Sequence, residues 1–377
     1  MISNISIQNF KAFHKMTDVK VGAFTLLTGI NGRGKSTFLQ MLLLLSQSIR
    51  NSEKHTPMNL ITNGDWVQLG NFKELINVYS TESQIRFRLQ TDEEIDNDFE
   101  LTYNEIEEKA NLGELCSMKV NGMETFSEAG GYNQTENTPS KKIAPIFSGY
   151  TSLMNLQNLY YVAADRNRAD NKENLTTEQV HLDCLGRNVI NVIYQQDEVF
   201  QAELEYRLSQ IFEGATFKII KEANSLRLYM DAMNNGQNFS PVNVGYGYSY
   251  ILTLLTAELL AKKGDIIIIE NPEAHLHPSA QAAMMKFFLK DIADKGIQIF
   301  METHSDHIVN ATLLGIRNPE INLTKDNVNI LFFNKNEEAD NGIYIQNLEI
   351  SPNGRVKNPP MKFCDQYAID LQALMGF

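Results

Sequence analysis

Short apolar runs alternate with longer amphipathic stretches along much of the chain. Residues 24–28, 265–269 and 297–301 are continuous apolar runs of strand length, as in parallel strands that are buried on both faces. The Leu-rich stretch 37–49 and the amphipathic stretch 279–295, which stops at Gly296, have the length and period of helices. Strands that alternate with helices in this way predict an α/β fold.

The middle of the chain follows a different pattern. Residues 84–120 alternate between apolar and polar side chains, which predicts antiparallel strands, and 122–148 is rich in Gly, Asn, Thr, Ser and Pro, which predicts a mobile loop. Residues 176–212 are expected to be mostly helical and 218–230 to form strands. We therefore predict four segments: an N-terminal lobe 1–80, a β-rich insert with a mobile loop 81–160, a helical and mixed insert 161–241 and a C-terminal lobe 242–377.

A glycine-rich segment joins the first buried strand to its helix. Residues 29–36 have the pattern G-x-x-x-x-G-K-S, and a strand before and a helix after are the context in which this pattern is a P-loop. Backbone N–H groups and the helix dipole there bind phosphate, a lysine reaches the β- and γ-phosphates, and a serine hydroxyl binds Mg²⁺. The predicted contacts to a nucleoside triphosphate are Asn31, Gly32, Arg33, Gly34, Lys35, Ser36 and Thr37, with Ser36 also on the metal.

Later segments supply groups that would act on such a nucleotide. Glu270 ends an apolar strand, where a carboxylate can orient Mg²⁺. The segment 243–249 opens a helix, so that backbone N–H groups at Gly245 and Gly247 and the Ser249 hydroxyl can hold a phosphate. His304 follows the next buried strand and can hydrogen-bond a γ-phosphate.

Two blocks carry a resemblance to a known family. The block 270–278, E-N-P-E-A-H-L-H-P, and the opening N-F-K-A-F at 9–13 resemble the ABC-type ATPases of the RecF, SMC and OLD class. The resemblance implies a P-loop ATPase head with a mixed or parallel sheet, an antiparallel β lobe and an inserted helical lobe. It implies ATP and Mg²⁺ as cofactors, the 243–249 segment as the signature motif that contacts the partner's nucleotide, and His304 as the switch histidine.

The same resemblance extends to other positions. It puts Lys11 and Phe13 near the nucleotide, and Gln68 is the candidate glutamine that senses Mg²⁺ and water. A zinc reading of His275 and His277 is disfavoured, because ligands two residues apart on a turn do not converge.

One position departs from transporter-type ABC ATPases, which have a glutamate after the first acid. Here that residue is Asn271, and an amide cannot act as a general base. Asn271 can orient a water, and Glu273 is the alternative base. We therefore expect slow hydrolysis.

The resemblance also suggests partners. It implies a homodimer, or a higher even oligomer, held through ATP. The segments 164–166 and 353–360 recur in predicted ATPases of bacterial anti-phage defence islands, where the effector, such as a nuclease, would be separately encoded. No heptads indicate an SMC arm, and the chain after His304 leaves no room for an OLD nuclease domain. A RecF-like DNA-repair ATPase that binds duplex DNA and a non-hydrolysing ATP-dependent scaffold remain alternatives, so nucleic acid stays a candidate partner.

Composition bears on the binding partners and on the cellular compartment. The net charge of −13 argues against a surface covered in phosphate contacts, although it allows a local basic groove. Three widely spaced cysteines indicate a reducing compartment rather than a disulfide framework. We expect no signal peptide and no membrane-spanning run, and therefore a cytoplasmic protein without a membrane partner.

Overall fold

The computed structural model describes residues 1–51, 59–95, 97–127, 153, 155–166, 172–178, 180–334 and 344–375. The strands are β1 (Ile2–Gln8), β2 (Thr17–Lys20), β3 (Phe24–Gly29), β4 (Leu60–Ile61), β5 (Ile85–Thr91), β6 (Asp98–Glu105), β7 (Leu112–Val120), β8 (Met123–Ser127), β9 (Leu159–Val162), β10 (Lys172–Asn174), β11 (Thr216–Glu222), β12 (Ser225–Asp231), β13 (Ile266–Glu270), β14 (Gln298–Glu302), β15 (Val328–Asn334) and β16 (Tyr344–Asn347). Most of the predicted mobile loop, 128–148, lies outside the described residues.

The helices follow the predicted order. They are α1 (Lys35–Arg50), α2 (Phe72–Leu75), α3 (Val189–Tyr194), α4 (Glu198–Ile211), α5 (Tyr246–Leu260), α6 (Pro278–Lys295), α7 (Asp306–Arg317) and α8 (Gln366–Met375). The chain divides into unit 1, Met1–Leu159 with Asn329–Asn347, and unit 2, Tyr160–Val328 with Leu348–Phe377. The predicted four-segment division stays a prediction.

Unit 1 contains a seven-stranded antiparallel sheet. Its order is β2-β1-β5-β6-β7-β4, with β8 beside β7. Successive side chains of a strand point to opposite faces of the sheet. On β5, Ile85, Phe87 and Leu89 share one face and are all buried. The antiparallel strands predicted for 84–120 are confirmed, and β5 pairs directly with β1. In this unit β3 also lies next to β15, with β16 beyond it.

Unit 2 contains the strands that end in acids. β13 and β14 are parallel, and β9 lies beside β13. All four isoleucines of β13 are buried, as expected for a strand covered on both faces. A separate antiparallel sheet has the order β10-β12-β11. The helix α6 ends where the sequence predicts, because Gly296 adopts the left-handed conformation with φ 69°.

The helical prediction for 176–212 holds from Val189 onward and fails for the described residues before it. Side chains bind the backbone there instead. Asn188 Oδ1 accepts from the N–H of Asp183, and Asp183 Oδ1 accepts from the N–H of Leu185. Such local Asn and Asp hydrogen bonds compete with helix formation.

A buried charged cluster joins three helices of unit 2. Arg207 on α4 donates to Glu258 on α5 and to Asp291 on α6, and Lys295 also pairs with Asp291. Glu258 is 0% exposed. Burial raises the pKa of Glu258 well above its usual range. Burial acts in the same direction on Asp291, but hydrogen bonds from Glu258, Lys295 and Arg207 bring the pKa of Asp291 to about 2. Of the two acids, Glu258 therefore binds a proton more tightly than Asp291.

Within the residues that the structure describes, no helix combines the length and apolar character needed to cross a membrane.

Candidate functional site

The loop between β3 and α1 in unit 1 has the backbone geometry that a P-loop requires. Gly29, Gly32 and Gly34 have φ angles of 120°, 69° and 93°, which side chains disfavour. A Cβ on Gly29 would lie 2.2 Å from the carbonyl oxygen of Phe333, whereas a Cβ on Gly32 would have nothing within 4 Å. The loop therefore packs tightly at its start and has open space at its tip, where a phosphate would approach the backbone.

Lys35 and Ser36 begin α1. The Lys35 ammonium donates to the carbonyl oxygens of Gly29 and Ile30, both at 3.1 Å, so the side chain folds over its own loop. Ser36 is exposed, as are Asn31 and Gly32. The ammonium and the exposed hydroxyl thus sit at the N-terminus of a 16-residue helix, where the helix dipole favours anions.

Lys11 approaches the same helix. Its ammonium donates to Gln40 Oε1 at 2.7 Å, and Gln40 lies one turn after Ser36 on α1. Burial lowers the pKa of Lys11. Phe13, in contrast, is only 2% exposed and belongs to the core of unit 1. Lys11 is therefore partly exposed to solvent and Phe13 is not, although the resemblance puts both near the nucleotide.

The segment that carries Gln68 is tied to α1 by a buried glutamine. The Gln47 side chain donates to the carbonyl of Ile61 at 2.6 Å and accepts from the N–H of Val67 at 3.1 Å. Gln47 is 2% exposed, whereas Gln68 is exposed. Gln47 thus fixes the position of the main chain next to the candidate sensor.

Two acids end adjacent strands in unit 2. Glu270 on β13 and Glu302 on β14 are direct partners in the parallel register, and Glu302 is 6% exposed. Burial, followed by the negative charge of Glu302, raises the pKa of Glu270 to about 7, although a hydrogen bond with Tyr161 opposes the shift. A buried carboxylate and a half-buried one on neighbouring strands favour the binding of a proton or cation.

A buried arginine holds the turn after Glu270. Arg166 is 1% exposed and donates to the carbonyl oxygens of Ala163, Glu270 and Asn271, at 3.2, 3.0 and 3.1 Å. Burial lowers the pKa of Arg166 to about 10. Asn271 has a φ of 45°, so the guanidinium stabilises a left-handed turn, a conformation in which asparagine is better tolerated than most other non-glycine residues.

The side chain of Asn271 is itself unusual. The main-chain N–H of Asn271 donates to the carbonyl of Glu302 at 2.9 Å, whereas the side-chain Oδ1 is buried without a hydrogen-bond partner. A buried amide oxygen without a donor is costly, so this group can accept a hydrogen bond from a water or ligand.

Glu273 contacts the loop that carries His304. Its carboxylate accepts from the Thr303 hydroxyl at 2.7 Å and from the N–H of His304 at 2.9 Å. The His304 side chain is exposed. The structure thus brings together Glu270, Asn271, Glu273 and His304 at the carboxyl ends of β13 and β14.

At the N-terminus of α5 the main chain is exposed to solvent, whereas the side chain of Ser249 is not. Gly245 is the N-cap residue and is exposed. A Cβ on Gly247 would lie 2.6 Å from the carbonyl oxygen of His275, so glycine permits close packing there. Ser249 is 0% exposed and its hydroxyl donates to the carbonyl of Tyr246 at 3.3 Å. That hydroxyl therefore faces its own helix rather than the solvent.

Sequence reasoning did not assign roles to Glu302, Arg166 or Thr303. The register of β13 and β14 pairs Glu302 with Glu270, and each strand's terminal acid could have suggested this. No local pattern marks Arg166 or Thr303, because their partners lie far along the chain. No group of three or more His, Cys, Asp or Glu residues that could hold a metal ion is found among the described residues.

Comparisons with known proteins agree with this geometry. A family model described as an AAA ATPase domain matches residues 1–309, and a second, described as a protein of unknown function (DUF3696), matches residues 323–374. No curated protein matches the chain.

Solved structures show the fold. The chain is similar to the SmcHead bound to the C-winged helix domain of ScpA, with 10% identity, a TM-score of 0.52 and coverage of 93% of this chain and 98% of that one. It is also similar to the Smc head domain with an extended coiled coil bound to the C-terminal domain of ScpA from Pyrococcus furiosus, with 10% identity, a TM-score of 0.51 and 99% coverage of both chains. The α/β fold with mixed sheets is therefore similar to that of the SMC head domains, which confirms the predicted fold class.

Proposed function

The chain belongs to the AAA ATPase domain family, whose model matches residues 1–309, and from this premise we propose that it binds ATP through its P-loop and hydrolyses it slowly. The observation that carries the proposal is the loop before α1. Its glycines adopt left-handed conformations, and the space at Gly32 is open. The Lys35 ammonium lies against the carbonyls of that loop, and we propose that it contacts the β- and γ-phosphates when the nucleotide binds.

Mg²⁺ is the proposed metal, with the exposed Ser36 hydroxyl and the Glu270 carboxylate as its protein ligands. The pairing of these two residues rests on the order of the motifs in the sequence. The half-buried position of Glu270 beside Glu302 supports a role in binding a cation. When bound, Mg²⁺ neutralises negative charge on the transferred phosphate. Lys11 and Gln68 are proposed to contact the nucleotide and the metal-bound water, respectively.

Slow turnover is proposed because the residue after Glu270 is an amide. Asn271 Oδ1 has no hydrogen-bond partner and can orient the attacking water, as glutamine does in small GTPases. It cannot take the proton from that water. His304 is proposed to bind the γ-phosphate, because its side chain is exposed beside the two strand-terminal acids.

We further propose a homodimer that closes around ATP. The exposed N-terminal turn of α5 at Gly245 is the surface offered to the partner's nucleotide, whereas Ser249 is buried in its own chain. Light scattering with and without Mg²⁺–ATP tests this proposal. A doubling of the mass with ATP supports it, and an unchanged mass contradicts it.

A separately encoded effector in bacterial anti-phage defence is the proposed setting, and it is supported by the resemblance of segments 164–166 and 353–360. A plaque assay with Lys35→Ala tests the link. Undiminished protection by this variant would remove ATP from the mechanism.

An ATP-dependent scaffold that does not hydrolyse ATP is the second candidate. Asn271 favours it, since the residue directly after Glu270 is an amide and not an ionisable base. Such a scaffold would bind ATP and dimerise without releasing phosphate.

ATP binding is tested by equilibrium titration of the parent, Lys35→Ala and Lys20→Ala. Lys20 is an exposed lysine on β2 and serves as the matched control. We expect Lys35→Ala alone to lose affinity, by about 100-fold. Equal affinities in all three proteins would contradict the proposal.

A further inference from the structure

We propose that Glu273 is a positioning residue, which fixes the main chain of His304, rather than the base that activates water. This inference rests on the proposed function, because it assigns a role within the same ATPase reaction. It starts from the carboxylate itself. Oε2 accepts from the Thr303 hydroxyl at 2.7 Å and Oε1 accepts from the His304 N–H at 2.9 Å. Both oxygens are thus directed at the loop 303–304, whereas a general base must be directed at the water that it deprotonates.

The contact belongs to a closed ring of hydrogen bonds, formed by Glu273, Thr303, Ser305 and Gln281. The Thr303 hydroxyl donates to Glu273 and accepts from the N–H of Ser305 at 3.0 Å. The Ser305 hydroxyl donates to Gln281 Oε1, and the Gln281 amide donates to the carbonyl of Leu276 at 2.9 Å. The main-chain N–H of Leu276 in turn donates to the carbonyl of Glu273 at 3.0 Å, and this bond closes the ring.

The ring joins three elements of unit 2. Glu273 lies on the turn after β13, Thr303 and Ser305 lie on the loop after β14, and Gln281 lies on α6. Thr303 is 0% exposed and Gln281 is 7% exposed. A polar network whose groups are paired with one another rigidifies the segments that it connects. The ring therefore sets the position of the loop after β14 relative to the turn after β13.

His304 is held between two anchored neighbours. Thr303 binds Glu273 on one side, and on the other side the Ser305 hydroxyl caps α7 by accepting from the N–H groups of His307 and Ile308. Its own N–H is bound to Glu273, whereas its side chain is exposed. The main chain is thus fixed and the imidazole faces outward, which is the arrangement needed to place a γ-phosphate contact reproducibly.

Single-turnover ATP hydrolysis separates the two roles. Thr303→Val removes the hydroxyl but keeps the side-chain shape and the Glu273 carboxylate. Thr303→Ser keeps the hydroxyl and is the matched control. Glu273→Leu removes both acceptors. A positioning role predicts that Thr303→Val and Glu273→Leu each slow hydrolysis by roughly 10-fold to 100-fold. It also predicts that the double variant is no slower than the slower single variant, because both changes break one network, and that Thr303→Ser behaves like the parent.

A base role predicts a different result. Thr303→Val would then hydrolyse ATP like the parent, while Glu273→Leu would be inactive, and this outcome would overturn the inference. In both cases ATP affinity, measured by titration, reports whether binding itself has changed.

If the parent protein hydrolyses no ATP, the proposed hydrolysis is wrong, but the positioning role can still be tested. Hydrogen exchange of the main-chain His304 amide provides that test. We expect this amide to be protected in the parent and in Thr303→Ser, and to exchange faster in Glu273→Leu and Thr303→Val. Equal exchange in all four proteins would overturn the positioning role, whether or not ATP is hydrolysed.

Discussion

The guanidinium of Arg166 lies 3.0 Å from the main-chain carbonyl oxygen of Glu270, to which it donates a hydrogen bond. A buried cation is thus bound to the backbone of the acid proposed for Mg²⁺, rather than to its carboxylate. The same guanidinium binds the carbonyl of Asn271 through its second nitrogen. The planar fork offers its N–H groups in a fixed geometry, whereas an ammonium is a point charge on a flexible stem that fixes the two carbonyls less firmly.

Arg166→Lys should therefore slow ATP hydrolysis more than it weakens ATP binding. The ammonium keeps the charge but lacks the rigid fork of the guanidinium, so the turn that carries Asn271 is held less firmly. We expect kcat to fall by roughly tenfold, equivalent to about 1.4 kcal/mol, with little change in KM.

Arg187→Lys is the matched control for that experiment. Arg187 is an exposed arginine of the same unit, and its pair with Asp183 lies at the surface. An exposed ion pair contributes little to the stability of the folded protein. If both substitutions changed kcat equally, Arg166 would have no specific role in the turn.

Gly32→Ala should weaken ATP binding without unfolding the protein. A Cβ at Gly32 meets no protein atom within 4 Å, so the added methyl occupies the open space at the tip of the loop. The left-handed φ of 69° alone should cost roughly 1–2 kcal/mol of stability. We expect ATP affinity, measured by titration, to fall by about tenfold or more.

Gly122→Ala provides the comparison for Gly32→Ala. Gly122 has a φ of 76° and also has nothing within 4 Å, but it lies in the turn between β7 and β8. Both variants should lose similar stability in urea unfolding, and only Gly32→Ala should lose ATP affinity. An unchanged affinity in Gly32→Ala would show that no phosphate approaches this loop.

The buried cluster around Arg207 predicts opposite outcomes for two similar substitutions. Burial raises the pKa of Glu258, so the folded protein binds a proton on this acid more tightly than the unfolded chain does. Glu258→Gln should be as stable as the parent or more stable at pH 7. The difference should grow as pH rises above about 4.3, the unfolded value for Glu. Urea unfolding at pH 4 and pH 7 measures this difference.

Asp291→Asn should instead destabilise the protein at pH 7, because Arg207 and Lys295 both lose a carboxylate. Removing one partner from a buried ion pair costs about 3–5 kcal/mol. The folded pKa of Asp291 is about 2, which is below its unfolded value. The contribution of Asp291 to the free energy of unfolding is therefore present above about pH 3.9, and it is lost as pH falls through the folded pKa. Equal stability of the parent and Asp291→Asn at pH 7 would contradict this account of the cluster.

The sequence predicts those parts of the fold that depend on neighbours along the chain. The P-loop follows from β3, its glycines and α1, which are contiguous, and the end of α6 follows from the left-handed Gly296. The alternation in 84–120 predicts β5, β6 and β7 because side chains of a strand alternate between faces.

The sequence could not predict features that depend on distant partners. Arg166 binds carbonyls more than a hundred residues away, and Glu302 meets Glu270 only through the register of β14. The burial of Ser249 follows from the packing of the whole of α5, not from the glycines beside it. Local pattern was also insufficient before α3, where Asn188 and Asp183 bind the backbone in place of a helix.

Phosphate release under single-turnover conditions, with protein in excess over radiolabelled ATP and with Mg²⁺ present, tests the central claim most directly. The parent protein should release phosphate slowly, over minutes to hours, and Lys35→Ala should release none, while Lys20→Ala matches the parent. Phosphate release that is the same with and without Lys35, or the absence of any release by the parent over hours, would contradict the proposed ATPase activity.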